Sequence, residues 1–113
     1  MSSTSYISHL NIHGDEPIMI NFLHAKKSLY ILRSINHKLR QDILNLIDAQ
    51  ENITVTEVYT TLKIEQSVAS QHLALMRKAG IVVTRKVGKY IYYKPNYQRI
   101  KEVSRFVEGL VNS

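Results

Sequence analysis

The sequence predicts a mainly α domain of five helices, with a β-hairpin between the fourth and the fifth. Three observations predict it. Apolar residues recur at three- and four-residue steps along most of residues 18–79 and again along 97–111. Two of those stretches, 55–62 and 66–79, are short helices that meet across a tight turn. Between Gly80 and Pro95 the period gives way to β-branched and aromatic runs on either side of Gly88.

Residues 1–13 are polar, serine-rich and without period, so a mobile arm is expected there, ahead of one folded domain over 14–113. Asp15-Glu16-Pro17 has the marks of a helix start: an aspartate cap, an early acid, and proline in the first turn. That helix is expected to reach about Ile35, with Ile18, Phe22, Ala25, Leu29, Leu32 and Ile35 on one face. Asn36-His37 interrupts the pattern. A second helix over 38–49 then gathers Leu39, Ile43, Leu46 and Ile47. After a polar connector, Thr54 and Glu57 stand at capping-box spacing, each able to bond the other's backbone N–H. The third helix therefore starts here and ends before Lys63-Ile64. The fourth covers 66–79 and stops at Gly80, which tolerates the left-handed conformation at a helix end.

Ile81 to Arg85 and Tyr90 to Tyr93 are expected strands, with Lys86-Val87-Gly88-Lys89 at the hairpin tip. Alternation assigns Ile91 and Tyr93 to the core, and Tyr90 and Tyr92 to the other face. Pro95-Asn96 ends the hairpin and opens a last helix over about 97–111. Its seam of Ile100, Val103, Val107 and Leu110, flanked by Phe106 and Val111, is wider than a small domain needs to close its own core.

Composition narrows the function. Ten lysines and arginines oppose three acids after residue 62, against five and six before it, within a net charge of +6. A basic C-terminal half favours a polyanionic partner, nucleic acid before an anionic membrane. Charges interrupt every apolar run before the roughly 18 residues of a membrane span. The opening Met1 to Tyr6 lacks the basic and apolar regions of a secretory signal, so a cytoplasmic protein is expected. There is no cysteine, and no Gly-rich phosphate loop, HExxH pattern or convincing carboxylate pair, so no enzyme is expected.

Helical geometry divides the 66–79 segment. Ala69, Leu73 and Met76 share the inner face, with His72 near it. Ser67, Gln71, Ala74 and Lys78 form the outer stripe, flanked by Gln66 and Ser70. A helix entering a major groove about 12 Å wide needs short side chains near the base edges and polar ends to read them. Gln66, Ser67, Ser70, Gln71 and Lys78 are therefore candidate DNA contacts, while the plainer reading is a solvated face. Arg85, Lys86 and Lys89 are candidate phosphate contacts, or else the charges of a soluble hairpin tip. Arg77 reaches phosphate or flanks the core. Lys94, Arg99, Lys101 and Arg105 are read as surface charge. The tyrosines are read as strand packing in preference to base stacking.

The whole order, mainly α with a β-hairpin wing, is that of a winged helix-turn-helix. The stretches that fill it resemble the ArsR/SmtB family of repressors over about residues 25–110. They are His37-Lys38-Leu39-Arg40 before Ile43-Leu44, Val55 to Leu62, Ser70-Gln71-His72-Leu73, Leu75 to Val82, and Arg85 to Lys89 followed by Tyr93. The resemblance implies a dimeric transcriptional repressor with double-stranded DNA as partner and a palindromic operator. It implies dimerisation through the first and last helices, hence through Phe22, Leu29, Ile100, Val103, Phe106, Val107 and Leu110. A winged-helix module that binds protein without sequence-specific DNA reading is the alternative.

Many members of that family are switched by metal or by thiol oxidation. Without cysteine the thiolate versions are impossible here, and the last helix offers Glu102 and Glu108 but no histidine. No metal and no cofactor are expected, which leaves an unidentified small-molecule or protein effector. His9 and His13 stand at i, i+4 but in the expected arm. His24 and His37 are read as surface or helix-boundary residues, and His72 as a partly buried hydrogen-bonding one. Two departures from the family pattern stand out: Lys63 occupies a turn position often held by glycine, and Glu65 a cap position often held by serine or threonine.

Overall fold

The computed structural model describes residues 7–10 and 16–112. It divides into two units, residues 1–30 and 31–113, described in turn.

In the first unit β1 (Ile7–Leu10) pairs antiparallel with β2 (Ile18–Asn21), Ile7 opposite Asn21 and Leu10 opposite Ile18. A strand thus stands within the segment expected to be an arm, and a second where a helix was expected to begin. The β-branched Ile18 and Ile20 favour a strand, and Ile18 matched the helical period of the residues after it by coincidence. Helix α1 (Phe22–Ile35) starts four residues later than Ile18, and the Asn21 side chain accepts the His24 N–H at 3.1 Å as its cap. The Asp15 cap and His13 lie outside the described residues. From Phe22 to Leu29 every residue of α1 is exposed.

In the second unit α2 (Lys38–Ala49), α3 (Val55–Leu62) and α4 (Gln66–Lys78) pack on one another. Ile43 and Ile47 of α2, Val58 of α3, and Ala69, Leu73 and Met76 of α4 are buried together with Ile53, Ile81 and Val82. The capping box is present: Thr54 Oγ1 accepts the Glu57 N–H, and Glu57 accepts the Thr54 N–H. Gly80, at φ 78°, ends α4 in a Schellman turn, with Ile81 N–H donating to Met76 and Gly80 N–H to Arg77.

Strands β3 (Val82–Val87) and β4 (Tyr90–Pro95) form the hairpin, paired from Val82 opposite Pro95 to Val87 opposite Tyr90. The connection is only Gly88-Lys89, shorter than the four-residue tip expected. Gly88 takes φ 61° at the first loop position, which matches the right-handed twist and lets pairing continue to the end. Ile53 adds a bridge on the other edge of β4, where the Tyr93 N–H donates to its carbonyl at 2.8 Å. Ile91 is 43% exposed, against its expected place in the core, because it sits where the hairpin projects past the body. Tyr93 is half-buried, as is Tyr92.

Asn96 then joins hairpin, α4 and the last helix, α5 (Tyr97–Val111). Its Nδ2 donates to the Gly80 carbonyl at 2.8 Å, its N–H to Ile81, and its Oδ1 accepts the Arg99 N–H.

Candidate nucleic-acid interface

The turn between α3 and α4 aims α4. Lys63 takes the left-handed conformation, φ 56° and ψ 45°, at the position where glycine is the easier residue. Its N–H and that of Ile64 both donate to the Tyr59 carbonyl, closing α3. Glu65 caps α4 without a side-chain bond, so the first turn is held by its backbone bonds and by the burial of Ala69.

The two faces of α4 separate as its period requires. Ala69, Leu73 and Met76 are fully buried, while Gln66, Ser67, Ser70, Gln71, Ala74 and Lys78 are all exposed. The outer stripe is low in relief as far as Lys78, the profile of a helix that can approach base edges closely. Arg77 is also exposed.

The hairpin carries exposed Arg85, Lys86 and Lys89. Arg85 Nη2 donates to Asn52 Oδ1 at 2.8 Å, and Asn52 itself is left-handed, φ 54°, in the connector between α2 and α3. Lys89 Nζ stands 5.5 Å from the centre of the Tyr90 ring, which in turn lies 6.3 Å from Tyr92. A cation over an exposed ring at this distance gains about 0.5–1 kcal/mol.

A second polar cluster lies on the inner side of α4. The His72 ring is 4.8 Å from that of His37, and Arg40 Nη1 donates to His72 Nδ1 at 3.3 Å. Arg40 also donates from Nε to the Ser34 carbonyl at 2.8 Å and from Nη2 to that of Arg33 at 2.9 Å. Gln41 Nε2 covers the Ile35 carbonyl, so α2 side chains cap the end of α1. Burial, followed by the neighbouring His37 and Arg40, lowers the pKa of His72 from 6.5. Sequence reading singled out His72 but neither Arg40 nor Asn52 as a partner. Both partners are many residues away, and only the spacing of His37 before α2 hinted at a cap.

Among the described residues no three histidines, cysteines or carboxylates could together hold a metal ion, and no helix is long and apolar enough to cross a membrane. His9 stands in β1, while its i, i+4 partner lies outside the described residues.

Residues 37–84 match the family model described as bacterial regulatory protein, arsR family. An uncharacterized HTH-type transcriptional regulator of Methanocaldococcus jannaschii, MJ1325, is 32% identical over 85 residues, which are 75% of this chain and 96% of that one. The transcriptional repressor PagR of Bacillus anthracis is 29% identical over 92 residues, 80% of this chain and 91% of PagR. Its crystal structure superposes with a TM-score of 0.62 at 26% identity, covering 76% of this chain and 98% of that one. HlyU of Vibrio cholerae, a transcriptional activator, is 29% identical over 86 residues, 76% of this chain and 79% of HlyU. Its structure superposes with a TM-score of 0.60 at 27% identity, covering 80% and 97%.

Proposed function

The chain belongs to the ArsR family of bacterial regulatory proteins, and from that membership we propose that it is a sequence-specific repressor which binds a palindromic operator as a homodimer. The exposed stripe of α4 enters the major groove, with Gln66, Ser67, Ser70 and Gln71 at the base edges and Lys78 toward the backbone. Arg85, Lys86 and Lys89 of the wing neutralise flanking phosphates. The observation that carries this reading is the division of α4: three fully buried apolar residues on one face, short polar ones on the other, beside a basic hairpin.

Phosphate neutralisation supplies affinity and register, since each phosphate contact releases condensed counterions. Base choice comes from α4, where glutamine can pair bidentately with adenine and serine with several edges. Relatives of this chain are named both for repression, PagR, and for activation, HlyU. A dimer seated over a promoter blocks access to it.

Dimerisation is supported by apolar surface a single chain leaves open. Phe22 and Leu29 of α1 are 48% and 45% exposed, and Phe106 and Leu110 of α5 are 48% and 62% exposed. Ile100, Val103 and Val107 line an open groove of about 280 Å³ with Ile35, Leu44 and Ile81. Covering such residues with a second copy would carry two α4 helices to half-sites about 34 Å apart.

Selection of bound fragments from a random duplex pool tests the reading, with light scattering for the oligomeric state. A two-fold symmetric consensus and a dimer at micromolar concentration are expected. Enrichment of no sequence, with binding indifferent to salt, would instead favour a protein-binding module.

A further inference from the structure

Arg40 does two things at once. It covers the last carbonyls of α1 at Arg33 and Ser34, and its remaining nitrogen reaches His72 on α4. A guanidinium has donors only, so His72 Nδ1 must accept and therefore must be without a proton. His37 is under the same constraint. Its Nδ1 accepts the Leu39 N–H at 3.1 Å, which makes this imidazole the cap of α2. Two neutral rings thus lie face to tilted face, each bound through an atom that a proton would take.

Among the described residues, the acids of α2 and α3 are engaged elsewhere, Asp48 by the Tyr97 hydroxyl. Burial disfavours a proton on His72, and the Arg40 guanidinium, like a proton on His37, opposes it further. On α2, Asp42 is engaged by Lys38 at 2.6 Å. On α3, Glu57 is turned to Thr54, and α3 otherwise offers Tyr59. On β3, Arg85 is turned to Asn52, and Lys86 adds only positive charge.

We propose that His37, Arg40 and His72 form a proton-released latch that positions α4 for DNA: it holds while both imidazoles are neutral, and acidification opens it and weakens DNA binding. The inference rests on the DNA-binding reading above. Protonating either ring opposes an N–H to an N–H and sets two or three positive charges within a few ångströms. The α2 cap and the tie between Arg40 and α4 are then lost together. Arg40 and the two histidines are positioning residues, since none belongs to the outer stripe. The direction is diagnostic, because added positive charge on a protein otherwise tightens its hold on a polyanion.

The test uses asparagine, whose Oδ1 supplies an acceptor that does not titrate and which is also a strong helix cap. Affinity for the duplex selected at about pH 7.5 is measured at that pH and at about pH 5.5, at fixed salt, for wild type, H72N and H37N/H72N. Wild type is expected to weaken about tenfold on acidification, and the double variant to stay within about twofold of its own neutral value. H72N, which keeps the His37 imidazole as the cap of α2, should fall between them. A wild type that binds as well or better at the lower pH, or a double variant that weakens as much as wild type, overturns the latch. Should the pool yield no duplex at all, the DNA reading fails by itself. The positioning role then falls with it, while protection of the Leu39 amide against exchange, at both pH values, still decides whether the latch opens: no loss in wild type relative to the double variant overturns it.

Discussion

Asn52 Oδ1 accepts a 2.8 Å hydrogen bond from Arg85 Nη2, so a left-handed residue between α2 and α3 orients a cation on the wing. Two substitutions separate the backbone part of that role from the side-chain part. Asn52→Gly keeps the easy left-handed backbone and loses the bond. Asn52→Ala loses both. On thermal or denaturant unfolding, alanine should destabilise by about 1–2 kcal/mol and glycine by clearly less. Both should weaken DNA binding alike if the held guanidinium is what matters. Full affinity in either variant would show that Arg85 needs no support.

Lys63 stands at φ 56° in the turn that aims α4. A side chain in that conformation is strained by about 1 kcal/mol relative to glycine. Part of the gain from Lys63→Gly is offset by the greater freedom of glycine in the unfolded chain. The expected outcome is a stabilisation of roughly 0.5 kcal/mol, read as a higher urea midpoint at unchanged slope. A lower midpoint would mean that Lys63 makes a contact worth more than its strain.

The lowered pKa of His72 makes stability depend on pH. The neutral ring is favoured by folding, so the contribution is fully present above the unfolded value of 6.5 and is lost as pH falls below it through the folded value. The melting temperature of wild type should therefore fall on acidification through that window. His72→Asn should flatten the fall. An equal fall in the variant would assign the dependence to other groups.

What was legible in the sequence was what local interactions determine. The Thr54 and Glu57 box, the Gly80 turn and the limits of α2 depend on residues within one or two turns of one another. The two faces of α4 followed from helical period alone. The strands before α1 were not legible, because their pairing joins residues 8 to 14 apart and Ile18 fits two periods at once. Nor was the exposure of Ile91, which depends on how far the hairpin projects from the body. The contacts of Arg40 with His72 and of Arg85 with Asn52 cross more than 30 residues, and no spacing rule encodes them. The stripe of the candidate interface was readable, but the side chains that hold it in place were not.

Sequence-specific binding by this chain requires that α4 read bases while the wing holds phosphate. Anisotropy titrations of wild type, Gln71→Ala and Lys89→Ala, on the selected duplex and its single-base variants over a range of salt, test this directly. Gln71→Ala should cost about 1–3 kcal/mol and relax preference at one base position. Lys89→Ala should weaken every duplex alike and lower the salt slope by about 1. A Gln71→Ala protein that keeps the full sequence preference of wild type would contradict the assignment of α4 as the reader.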